Sequence, residues 1–175
     1  NNNLPICNDT VILTKGNCNL QMGGVNAGNT SNITGSKNIS IGGDAGNSLT
    51  SGTCNVLIGA NAGGNIEGPS NNVFIGTQAG QTQTGGGQNV MIGCAAGCLS
   101  HGESNVYIGT CAGKRIPGSI THNESILIGD RAGNRFSGCY NIIMGANAAE
   151  AQHGNATGGI NNLGFGRRAF MDICS

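Results

Sequence analysis

Eight cysteines carry the most reactive side chains in this 175-residue sequence: Cys7, Cys18, Cys54, Cys94, Cys98, Cys111, Cys139 and Cys174. An even number in a short chain invites a disulfide framework, which eight residues could form in 105 ways. Cys94, Cys98, His101 and Cys111 could also be assembled into a metal site, but no pair has the Cys-x-x-Cys spacing of a zinc knuckle. The run Gly164-Phe165-Gly166-Arg167-Arg168-Ala169 spells a dinucleotide fingerprint, which needs a following helix that the sequence does not supply. Ser, His and Asp share no neighbourhood, and the acids are scattered singly. Glu103 and Glu124 could pair for acid–base work only across chains. The reading at this level is no enzyme, no cofactor and no metal.

What must position these residues is a repeat. Asn, an aliphatic residue, a variable residue, an aliphatic residue, Gly, two variable residues and Ala, usually followed by Gly, recur in nine copies. The central glycines are Gly23, Gly42, Gly59, Gly76, Gly93, Gly109, Gly129, Gly145 and Gly166, separated by 19, 17, 17, 17, 16, 20, 16 and 21 residues. A unit this short cannot bury an apolar face alone, so copies must stack. The period is too short for helix pairs or propeller blades and fits one coil of a β-solenoid with surplus residues looped out. The expectation is an all-β, single-chain solenoid of about nine coils over residues 19–170. Residues 1–18 form an atypical entry coil or cap, and 171–175 a tail or the start of a removed domain. The chain begins at Asn, which reads as a fragment or processed product.

Aligned by column, the copies assign roles. Asn stands four before the Gly in eight copies, with Ser125 the exception, and predicts a stacked amide ladder or a cap on the preceding turn. The positions three and one before the Gly are apolar throughout and are assigned to the coil core: Val56, Ile58, Val73, Ile75, Val90, Ile92, Val106 and Ile108. Strand alternation then sends the residue between them outward. That column, Leu57, Phe74, Met91, Tyr107, Leu127 and Ile143, is large and apolar, so another copy of the chain is expected to cover it. In this frame Gly164 to Ala169 is the ninth copy of the repeat. Cys94 and Cys111, in neighbouring coils and offset by one position, become the best candidates for a disulfide. Cys18 and Cys54 lie two coils apart, about twice the ~4.8 Å strand spacing.

Segments 47–53, 64–70, 81–87, 98–103, 114–123, 134–139 and 150–160 are rich in small polar residues and read as loops. The longest vary while the strand motif does not, which makes Lys114, Arg115, His122, Arg135, Phe136 and His153 the candidate receptor contacts. Eight basic residues balance eight acidic ones, giving no broad attraction to nucleic acid, although six of the basic residues lie between positions 114 and 168. Nothing approaches the ~20 apolar residues of a membrane span, so no membrane insertion is expected.

The motif Asn-Val-x-Ile-Gly-x-x-Ala-Gly, as in Asn105-Val106-Tyr107-Ile108-Gly109-Thr110-Cys111-Ala112-Gly113, resembles the head repeats of trimeric autotransporter adhesins. It is still more similar to the Asn- and Gly-rich repeats of phage-type and giant-virus tail fibres. The resemblance covers roughly residues 19–170. It implies a homotrimeric, left-handed parallel β-roll with an attachment role, on a virion surface or otherwise extracellular, with a host glycan or protein as receptor. The column argument by itself implies only self-association. Coils longer than the adhesin repeat, and cysteines where those adhesins lack them, favour a virion fibre. The alternatives are a bacterial adhesin head or a lectin-like module.

Overall fold

The computed structural model describes residues 5–6, 10–11, 18–23, 26–28, 33–83, 85–115, 123–150, 156–157 and 159–170. Nine three-residue strands form one parallel sheet: β3 (Leu20–Met22), β4 (Ile39–Ile41), β5 (Val56–Ile58), β6 (Val73–Ile75), β7 (Val90–Ile92), β8 (Val106–Ile108), β9 (Ile126–Ile128), β11 (Ile142–Met144) and β13 (Leu163–Phe165). They pair in sequence order and in perfect column register, so that Leu57 sits beside Phe74, Phe74 beside Met91 and Met91 beside Tyr107. This is the β-solenoid with a period near 17 residues that the repeat predicts. The amino-terminal segment departs from it, because β1 (Pro5–Ile6) and β2 (Thr10–Val11) pair antiparallel. A second, two-stranded parallel pair joins β10 (Phe136–Ser137) to β12 (Ala156–Thr157). Among the described residues there is no helix.

The two faces of the strands are the reverse of the sequence-based assignment. Leu57, Phe74, Met91, Tyr107, Leu127 and Ile143, assigned to an interface between chains, are wholly buried inside their own chain. Val56, Ile58, Val73, Ile75, Val90, Ile92, Val106 and Ile108, assigned to the core, lie half-buried on the outer face. All three strand positions are apolar, so hydrophobicity could not set the parity. What sets it is the Asn two residues before the middle position: it points the same way along an extended chain, and its amide belongs inside. The β-branched residues suit a half-exposed pleated surface, where their stiffness favours the strand.

Each strand ends at the central Gly, and a tight turn follows. The Ala three residues on donates its N–H to the carbonyl of that Gly, as Ala62 does to Gly59 at 3.1 Å and Ala79 to Gly76 at 3.2 Å. The residue before Ala takes φ near +60°, for example Asn61 at 58° and Gln78 at 60°. Gly is required at the turn for two reasons. Gly76 has φ 128°, and a Cβ there would lie 2.6 Å from the carbonyl oxygen of Gly93 in the next coil.

Large and small side chains alternate across the interior. Six residues after the inward residue of each strand from β4 to β9 stands a second Gly, and a Cβ on Gly80 would lie 2.5 Å from the Phe74 ring. The pairs Leu57 with Gly63, Phe74 with Gly80, Tyr107 with Gly113 and Leu127 with Gly133 follow this rule. At β11 the pair is Ile143 with Ala149, and at β13 it is inverted: Gly164 faces the ring of Phe170. The interior volume is kept while its source moves to the other side.

The wall opposite the sheet comes from segments that composition reads as loops. Leu49, Ile66, Gln83, Ser100 and Phe136 each lie seven residues after a central Gly, and Arg115 lies six after Gly109; all are buried. Leu49, Ile66 and Phe136 join the same apolar core as the inward strand residues. Polar Gln83, Ser100 and Arg115 interrupt the pattern and hide the column from a hydrophobicity reading.

Candidate functional site

Two columns run the height of the sheet and define what the molecule can offer a partner. The first is internal. Asn38 donates both its backbone N–H (2.8 Å) and its Nδ2 (3.1 Å) to Asn19 Oδ1. Asn55 does the same to Asn38, Asn72 to Asn55, Asn89 to Asn72 and Asn105 to Asn89, at 2.9–3.2 Å. Spare Nδ2 protons reach backbone carbonyls, from Asn38 to Gly52 at 2.8 Å and from Asn55 to Pro69 at 2.9 Å. An amide is required because it accepts twice and donates twice; a carboxylate could only accept. The ladder and the cap expected separately are one arrangement, and it holds the chain's own rungs.

Ser125 leaves a gap in that column. Its Oγ accepts the Asn141 N–H at 3.2 Å and donates to Asn123 O at 3.1 Å. It does not reach the Asn141 amide as well, and Asn141 Nδ2 is buried without a hydrogen-bond partner.

The second column set is external. The outward residues of β3 to β9 are all half-buried, and exposure rises toward the last strands, to 38% at Ile142, 60% at Leu163 and 63% at Phe165. The result is a flat aliphatic face, two side chains wide, that the described chain covers only in part.

The loop residues expected to meet a receptor divide. Lys114 and Arg135 are half-buried, whereas Arg115 and Phe136 are enclosed and cannot present a contact surface. The wall pattern explains this correction, since both side chains fill the interior opposite the sheet. His122 and His153 fall outside the described residues. Among the basic residues of the last third, Arg131, Arg167 and Arg168 are exposed, with Asp130 among them.

The cysteines that the structure describes are free thiols. Cys94 and Cys111 do sit in adjacent coils, where the Cys111 N–H donates to Cys94 O at 2.9 Å, but they are not joined. Cys98 is buried, and desolvation raises its thiol pKa; Lys114 opposes the shift, and Cys111 and Cys94 add to it. A thiol held protonated is a poor nucleophile. Among the described residues no group of three His, Cys, Asp or Glu side chains is placed to hold a metal ion, and no helix is long and apolar enough to cross a membrane. No family model, characterised protein or solved structure matches the chain.

Proposed function

We propose that the chain is a structural, non-enzymatic segment of a virion or phage tail fibre, assembled as a homotrimer and holding or forming a host-attachment surface. The observation that carries this reading is the outer sheet face. Two columns of half-exposed aliphatic residues along a nine-stranded sheet make an apolar strip that water does not favour. A second and third copy of the same rigid strip would cover it along its length. This face takes over the associating role that sequence alone gave to the column now found inside.

Parallel stacking supports a mechanical role. At ~4.8 Å per strand the sheet is on the order of 40 Å long, with backbone hydrogen bonds running from one strand to the next and an amide ladder interrupted at Ser125. The trimeric count and the attachment role are supported by the resemblance of the motif to fibre and adhesin repeats, and the varied segments between repeats are where a receptor surface would be carried.

Size-exclusion chromatography with light scattering tests the assembly. The wild type should run at three times the 17.5 kDa chain mass. Replacing Ile75 and Ile92 together by Glu should give a monomer with an unchanged β-sheet circular dichroism spectrum. A monomeric wild type at micromolar concentration would overturn the reading.

A further inference from the structure

The Arg115 side chain is only 1% exposed, and none of its three guanidinium nitrogens has a hydrogen-bond partner. It stands in the opposite wall between Ser100 of the coil before and Phe136 of the coil after, in the position where other coils bury Leu49 and Ile66. Ser100, one coil earlier, is fully buried, and its Oγ has no partner beyond the Tyr107 phenol. Tyr107 closes the group from the sheet side: its phenol lies beside Ser100 and within the electrostatic reach of Arg115. Burial, the largest influence, holds that phenol above its ordinary range, so it remains a donor.

The chemistry of this group is one-sided. A guanidinium presents five N–H donors and no acceptor, and the Tyr107–Ser100 pair, once one hydroxyl donates to the other, has one proton left to give. Among the described residues Tyr107 is the titratable group that acts on Arg115, and no carboxylate does so. Burial lowers the guanidinium pKa, but arginine remains charged at any physiological pH. An enclosed cation without a counter-charge is strongly disfavoured, and a water molecule would supply an acceptor without neutralising it. A small anion supplies both.

We infer that the coil interior between Ser100, Tyr107 and Arg115 is a binding site for one small inorganic anion of the halide class, chloride under ordinary conditions. The enclosure of all three residues excludes larger carboxylates and phosphates presented from the surface. The bound ion accepts from the guanidinium and from the Ser100 hydroxyl, and so closes the polar gap that these residues leave in the wall. The inference is independent of the fibre reading, because it concerns the interior of a single chain.

The test is thermal unfolding of the full chain at constant ionic strength, with chloride exchanged stepwise for gluconate, which is too large to enter. The wild-type midpoint should rise by several degrees with increasing chloride, as expected for a ligand that binds only the folded state. Arg115→Met, whose apolar side chain needs no counter-ion, should lose that dependence. Crystals of the wild type grown in bromide should show an anomalous peak beside the guanidinium, a readout that stands even if the variant does not fold. A chloride-independent midpoint together with no bromide peak at Arg115 would overturn the site.

Discussion

From β5 to β9 every inward strand residue is wholly buried and, where six residues on there is a glycine, the side chain on the sheet fills the space that the glycine leaves. At β13 the arrangement is reversed, with Gly164 on the sheet and Phe170 supplying the ring. The outer residues differ as well: half-buried in the middle, they are about 60% exposed at Leu163 and Phe165. The repeat therefore conserves a volume and a hydrogen-bond pattern rather than particular residues. A coil in the middle is held from both sides, and the last strand from one.

The largest contrast is expected at the central glycines. Gly76→Ala would place a Cβ 2.6 Å from Gly93 O and 2.7 Å from Gly93 C, backbone atoms that cannot yield without parting two coils. A loss of about 4 kcal/mol is expected, near the upper limit for single substitutions. A Cβ on Gly166 has nothing within 4 Å. Gly166→Ala should cost only the strain of its φ of 112°, roughly 1–2 kcal/mol. Denaturant unfolding of the two variants compares them, and equal losses would remove the stacking explanation.

The interior pairs give the next largest effect. Phe74→Ala should cost about 3–5 kcal/mol by cavity formation. Phe170→Ala, at a half-buried site, should cost clearly less. The double variant Gly164→Phe with Phe170→Gly restores the order used at β6, and should recover most of the loss seen with Phe170→Gly alone. Failure to recover would mean that the two positions do not share one volume.

The amide ladder supplies two smaller tests. Asn72→Ala strands the backbone N–H of Asn89 and takes one of two bonds from Asn89 Nδ2 and from Asn55 Oδ1, and should cost about 2–3 kcal/mol. Ser125→Asn should act in the opposite direction. It supplies the acceptor that Asn141 Nδ2 lacks and should raise stability by about 1 kcal/mol, read as a higher melting midpoint. A lower midpoint would show that the gap at this rung is required by its surroundings.

The period, the strands and the turns were legible because backbone geometry demands the same residue type at nearly every copy. Gly cannot be replaced at φ near 130°, nor Asn where two acceptances and two donations meet. The direction of the strand residues was not legible from hydrophobicity, since Val56, Leu57 and Ile58 are all apolar. It could have been taken from the parity of Asn55, or from Phe170 appearing where Gly164 lacks a side chain. The opposite wall was harder to see. One buried residue per coil leaves no periodic apolar run, and Gln83, Ser100 and Arg115 break even that trace. The enclosure of Arg115 and Phe136, two residues a surface reading selects for their charge and ring, follows from the same wall.

The gap at Ser125 has a mechanical consequence. Hydrogen bonds in a stacked sheet lie along the rod, so a pull applied at its two ends passes through every rung in series, and the weakest rung sets the force at which the rod parts. On both sides of Ser125, from β8 to β9 and from β9 to β11, the side-chain ladder contributes one bond where its other rungs contribute two. Under tension the rod should open first beside β9, leaving the two-bond rungs beyond it intact.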